Sequence, residues 1–178
     1  MNDDASVIAS PRHEPADAIA LKPIAAAELR ALVAGDPVDF DGFAVLAGAL
    51  PPAIVLTRAL HALAAGTPRP WCVPFLIVSP NRRVVLGGCG FKSAPRDGEV
   101  EISYGVAPSE RGRGIGRTAL AQLLERATAS GEAHTVVAHI LPRNVASAAL
   151  VARLGFERGH LFVDTDGEEV VRWSRRIA

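Results

Sequence analysis

YGVAPSERGRGIGRTAL, from Tyr104 to Leu120, is the stretch whose reading decides the fold. It leaves an alternating segment, passes through a Pro-Ser-Glu turn and enters a Gly/Arg cluster that opens a helix. Gly112, Gly114 and Gly116 carry no Cβ and let the backbone come close to a ligand. The first N–H groups of the following helix have no intrahelical acceptor and point back into the loop with the positive end of the macrodipole. A pyrophosphate suits such a site, and Arg111, Arg113 and Arg117 add formal charge around it. The plainer alternative is a Gly-rich turn with solvated arginines.

Two familiar phosphate loops do not fit. A P-loop ends in Gly-Lys-Ser/Thr, whereas Gly116 is followed by Arg117 and Thr118. A dinucleotide fingerprint starting at Gly112 needs Gly or Ala at position 117 and an acid closing the next strand. Position 117 is Arg, and Glu132 stands before the next strand rather than at its end.

Outward from the loop, Glu99 to Val106 alternates, with Val100, Ile102, Tyr104 and Val106 on one face and Glu99, Glu101 and Ser103 on the other. Two more strands precede it, Trp71 to Ser79, with Pro74 implying an edge or a bulge, and Val84 to Lys92, whose glycines imply close backbone approach. Short turns between the three predict an antiparallel meander. After the loop, Ile115, Ala119, Leu120, Leu123, Leu124 and Ala127 form the apolar face of a helix that Gly131 ends. His134 to Leu141 reads as a strand, and Asn144 as the cap of a helix that closes on Gly155. Residues 156–164 and 169–177 read as a hairpin around Thr165-Asp166-Gly167.

Towards the N-terminus, Pro23 is expected to start a short helix ending at Gly35, and Pro51-Pro52 a stronger one before Gly66. His61, within the second, is expected at a surface or boundary position. Residues 43–50 are apolar but ambiguous. Residues 1–22 lack periodicity and read as a flexible tail; 23–178 is then a single α/β domain with helices on both faces of a mixed sheet.

Lys+Arg and Asp+Glu number 19 each, so no global field recruits nucleic acid or a membrane. The arginines of the loop are therefore a local feature. Cys72 and Cys89 form no metal or redox pattern and are expected as buried thiols in a reducing cytoplasm. No early stretch joins a basic start to an uninterrupted apolar core, and we expect neither a signal peptide nor a transmembrane helix.

Arg111-Gly112-Arg113-Gly114-Ile115-Gly116 resembles the R/Q-x-x-G-x-G/A signature of the GNAT N-acetyltransferase superfamily. As in that family, a strand ending in Gly-Val-x-Pro (Gly105 to Pro108) precedes it. Asn144-Val145-Ala146-Ser147, followed by Leu154-Gly155-Phe156, is similar to the family's second landmark, N-x-x-S and then L-G-F. The resemblance covers about residues 73 to 177 and is closest in wording to the branch that includes acetyltransferases of ribosomal-protein N-termini. It implies the GNAT fold, a mixed, mostly antiparallel twisted sheet with helices on both faces. It also implies direct transfer of an acetyl group from acetyl-CoA to a primary amine, either a peptide α-amine or a small molecule, without a metal. Another acyl-CoA donor, or a non-catalytic acyl-CoA sensor of the same fold, is the alternative. The partners implied are acetyl-CoA and an amine acceptor, with no nucleic acid and no membrane, in a monomer or homodimer.

The resemblance also assigns roles. Tyr104, Gly105 and Val106 would carry the pantetheine and supply a backbone N–H to the oxyanion, with Gly105 suited to a bulge. Arg111, Gly112, Arg113, Gly114, Ile115, Gly116 and Arg117 would hold the pyrophosphate. Asn144 would bond the pantetheine arm, and Ser147 would protonate the leaving thiolate, since Tyr104 is the only tyrosine and the later helix has none. For the general base two residues compete: Glu101 on the polar face of its strand, and His139, five residues before Asn144. Desolvation without a base is the third option. Acceptor choice falls to residues 24–70 and 160–170, rich in Ala and Leu, which disfavours polycationic substrates.

Overall fold

The computed structural model describes residues 18–165 and 167–177. Its strands are Ala20–Pro23 (β1), Ala44–Val45 (β2), Phe75–Ser79 (β3), Val84–Phe91 (β4), Glu99–Val106 (β5), Thr135–Ile140 (β6), Glu157–Val163 (β7) and Glu169–Arg176 (β8). Its helices are Ala26–Ala34 (α1), Ala53–Ala64 (α2), Arg69–Cys72 (α3), Ile115–Ser130 (α4) and Val145–Arg153 (α5). The strands lie in the order β1-β3-β4-β5-β6-β8-β7, with β2 bridging to β4. The β5–β6 and β2–β4 pairs are parallel and the others antiparallel. This is the mixed sheet with helices on both faces that the resemblance implies.

Strand alternation splits the core in two. On one face, Val100, Ile102, Val136, Ala138 and Ile140 pack with Leu120, Leu123 and Ala127 of α4 and Val151 of α5. On the other, Leu76, Val78 and Val85 pack with Leu29 of α1 and Leu56 of α2. The meander β3-β4-β5 and the apolar face of α4 match the sequence pattern. Asn144 Oδ1 accepts from the Ser147 N–H at 3.1 Å, as a cap does. Gly155, at φ 78°, ends that helix while the Phe156 N–H returns to the Val151 carbonyl.

Several expectations give way. Pro23 does not start a helix; it is the last residue of β1, opposite Phe75. Glu28 accepts from the Ala25 N–H at 2.6 Å, and α1 begins at Ala26. Strand β1 thus begins within the stretch read as a tail, whose residues 1–17 lie outside the described ones. Trp71 and Cys72 belong to the single turn α3, and the strand starts only at Phe75, past Pro74. That strand is no edge: β1 and β4 flank it, and its irregularity lies at Ile77/Val78. Nor is Gly105 bulged, because the β4–β5 register runs unbroken from Phe91–Ile102 to Gly87–Val106. Gly87 makes this possible, since a Cβ there would stand 2.2 Å from the Gly105 carbonyl oxygen. Asp166, in the turn expected between β7 and β8, lies outside the described residues.

Leu123 is fully buried between α4 and the sheet. Leu123→Ala should lower unfolding free energy by about 2–5 kcal/mol in urea titrations, the range for a leucine truncated in a close-packed core.

Candidate active site

Strands β5 and β6 pair only from Glu99–Thr135 to Glu101–Val137. Beyond that point β5 stays on β4 and β6 stays on β8, so a gap opens between them. Lys92 donates to the Glu101 carbonyl and Ala107 to that of Leu86, both at 2.8 Å. In an antiparallel ladder alternate residues bond outward, so the peptide groups of Tyr104 and Val106 face the gap. Consistent with this, Arg111 Nε donates to the Val106 carbonyl at 3.1 Å.

The Gly/Arg loop closes one end of the gap. Gly112 and Gly114 take left-handed backbone, φ 79° and 81°, with nothing within 4 Å of where a Cβ would stand. The left-handed backbone favours glycine, and the open space around both leaves the surface accessible to an approaching ligand. A Cβ on Gly116 would meet Leu150 Cδ1 at 2.9 Å, so the missing side chain also lets Leu150 of α5 pack against α4. The arginines are not equivalent. Arg113 donates to Glu110 at 2.9 Å, and Glu110 also takes two hydrogen bonds from Arg82 at 2.9 and 2.6 Å. The Arg82 guanidinium, with Arg113 behind it, holds the buried Glu110 carboxyl below the ordinary value of 4.5 against the opposing effect of burial. Arg117 stands exposed on the first turn of α4.

Glu101 and His139, read as rivals, are neighbours at the fork: Nδ1 of His139 is 3.1 Å from Oε1 of Glu101. Lys92 forms an ion pair with the same oxygen. That oxygen is buried without an aligned hydrogen bond, so its compensation is electrostatic. Phe162 of β7 packs edge-on against the imidazole, with ring centres 4.9 Å apart. Sequence reading missed Lys92; its signal is cross-strand register, since Lys92 opposes Glu101 once the β4–β5 turn is placed.

Across the gap, the Tyr104 hydroxyl reaches the Ser147 carbonyl at 3.4 Å. A phenol therefore stands at the first turn of α5 although no tyrosine lies on that helix. Burial pushes the Tyr104 phenol up, an effect its hydrogen bond with Ser147 partly offsets, so it keeps its proton at neutral pH. Burial in the same sheet pushes the Cys89 thiol up to about 12, which disfavours the reactive thiolate. On the α2 side of β4 and β5 lies a cavity of about 270 Å³, bounded by α2, the Gly48–Pro52 segment and the strands from Gly88 to Lys92 and Ser103 to Val106.

Residues 19–157 match the family model described as the acetyltransferase (GNAT) domain. The chain belongs to that family. It is 41% identical over 88 residues to the L-methionine sulfoximine/L-methionine sulfone acetyltransferase of Pseudomonas aeruginosa, a match covering 47% of this chain and 51% of the relative. The chain thus spans about half the length of the curated relatives it matches. Among solved structures, a putative acetyltransferase from Salmonella typhimurium with acetyl-CoA superposes with a TM-score of 0.59 at 21% identity, over 90% of this chain and 94% of that one. The ribosomal-protein-S5-alanine acetyltransferase of Vibrio fischeri gives 0.57 at 19% identity, over 70% and 69%. Both likenesses establish the GNAT fold. Among the described residues, no helix is long and apolar enough to cross a membrane.

Two measurements check this loop. Arg117→Glu should weaken acetyl-CoA binding by roughly tenfold in calorimetry at low salt while circular dichroism stays unchanged. Glu110→Gln should destabilise the fold most above pH 4.5. A carboxylate whose value is depressed by folding contributes fully above its unfolded value and loses that contribution as pH falls through the folded one. The gap between wild type and variant in denaturation midpoints should therefore narrow on acidification.

Proposed function

We propose that the chain is an N-acetyltransferase that moves the acetyl group of acetyl-CoA directly to a primary amine. The observation that carries this is the parting of β5 from β6, which turns the peptide groups of Tyr104 and Val106 towards a gap ending at the N-terminus of α4. Pantetheine, itself a chain of amides, would pair with β5 along that gap as a further strand. Asn144 would face its arm, and the Gly112–Gly116 loop with Arg111 and Arg117 would face the pyrophosphate.

In this reading the amine nitrogen attacks the thioester carbonyl, and a β5 amide holds the oxyanion. The C–S bond then breaks, and the thiolate takes a proton from the hydroxyls at the start of α5, Ser147 or Tyr104. The proton leaving the amine goes to the Glu101–His139 pair. Glu101, paired with Lys92, stands beside His139 Nδ1, so the carboxylate and the imidazole would share the role of base. The buried, unpaired thiols of Cys72 and Cys89 suit a reducing cytoplasm.

Purified protein, acetyl-CoA and a panel of amines and peptide N-termini, followed with a thiol-reactive dye, test the proposal. Background release across the panel despite calorimetric acetyl-CoA binding would establish a sensor instead. With an acceptor in hand, Glu101→Gln and His139→Ala should each lower kcat/KM by roughly 10²–10⁴-fold. Because the pair acts as a unit, the double variant should be no slower than the slower single one. Ser147→Ala and Tyr104→Phe should reduce kcat with little change in acetyl-CoA affinity, and the larger loss identifies the proton donor.

A further inference from the structure

The cavity on the α2 side has an uneven charge. Helix α2 lays Val55, Arg58, Ala59 and Ala62 along it, the i, i+3, i+4, i+7 spacing of one helix face. Opposite them, Gly88, Gly90 and Gly105 leave the sheet without side chains. Among the described residues, the charged ones on its wall are Arg58, Lys92 and Arg111, and no Asp or Glu lines it. Two of these cations are engaged, Lys92 with Glu101 and Arg111 with the Val106 carbonyl. Arg58 makes no ion pair or hydrogen bond among the described residues. An exposed guanidinium with no partner among the described residues, at the wall of an apolar cavity, attracts an anion and offers it a planar donor fork. It repels a second ammonium.

We infer that the acceptor is a small primary amine that also carries a carboxylate, and that Arg58 is the specificity-determining residue that binds this group and orients the amine. The inference rests on the acetyl-transfer reading and names the substrate class of that site. The volume, near the lower end of small-molecule sites at about 300 Å³, suits an amino-acid-sized solute. The charge disfavours polyamines, whose remaining ammonium groups would face Arg58, while the nearby Glu101 carboxylate is already paired with Lys92.

The test uses the full chain with acetyl-CoA and matched acceptors: α-amino acids, their α-amides and a diamine. Wild type should acetylate acids over amides and reject the diamine. Arg58→Gln should cut kcat/KM for the acids by roughly 10–100-fold, the worth of a charged hydrogen bond, and leave the amides within about twofold. Arg58→Lys should restore part of the loss. Acetyl-CoA affinity, measured by calorimetry, should stay constant in both variants. Equal effects on acids and amides, or a wild-type preference for the diamine, would overturn the inference. Loss of acetyl-CoA affinity in Arg58→Gln would overturn it too, since Arg58 would then serve the cofactor's phosphates. If no acceptor releases thiol, the transfer reading fails by itself, and titrating the acids into CoA-bound protein still decides the role of Arg58. Acid binding that weakens in Arg58→Gln sustains it, and no acid binding refutes it.

Discussion

Everything at this site depends on a sheet that stops pairing in its middle. β5 and β6 share three residue pairs and then diverge, although both strands run on, to Val106 and Ile140. Unpaired peptide groups inside a sheet are costly unless something bonds them, so a divergence here needs support from both sides. It has that support: β4 holds β5 through Val106, and β8 holds β6 through Ile140. At the open end α4 and α5 meet at Gly116, whose missing side chain admits Leu150. Tyr104 spans the opening to the first turn of α5. The gap is therefore a built feature of the fold.

The period-two geometry of β5 then divides labour between the two faces of the sheet. Tyr104 and Val106 pack towards α4 with Val100 and Ile102. Glu101, Ser103 and Gly105 face α2. One strand thus presents a phenol on the α4 side, a carboxylate on the α2 side and peptide groups in the plane between them. The glycines of β4 belong to the same arrangement. A Cβ on Gly88 would strike Pro51 at 2.8 Å, and one on Gly90 would press on Pro74 at 3.2 Å. Their absence lets the proline segments before α2 and β3 come close, and so sets the depth of the cavity.

What the sequence made legible was local. The alternation of β5, the apolar face of α4 and the cap at Asn144 each lie within one element and follow from backbone geometry, and the structure reproduces all three. The left-handed glycines of the loop, Gly112 and Gly114, follow from the same local geometry. What stayed hidden depends on long-range pairing. Pro23 reads as a helix start because its role is set by Phe75, more than fifty residues away. Glu101 and His139 read as competitors because only the β5–β6 register shows them side by side. Gly116 reads as a phosphate-contact glycine, and its second constraint, the contact with Leu150 of α5, shows only in the fold. Arg58 carried no signal in the sequence at all, since an arginine on a helix is ordinary until the walls around it are known.

The Gly/Arg loop shows how such a long-range contact changes the chemistry. Three arginines in seven residues suggest three free charges for a polyanion, yet Arg113 is tied to a buried carboxylate that Arg82 also grips. Removing either arginine would leave Glu110 short of a partner in a site that is almost closed to solvent, which costs more than an exposed ion pair is worth. The triad carries one net positive charge, and it fastens the turn between β3 and β4 to the residue just before the loop. Its contribution to binding is therefore mainly geometric. The loop is held in shape before any ligand arrives, which reduces the ordering cost of binding. In the proposed reading, the attraction itself would fall to the α4 amides, Arg111 and Arg117.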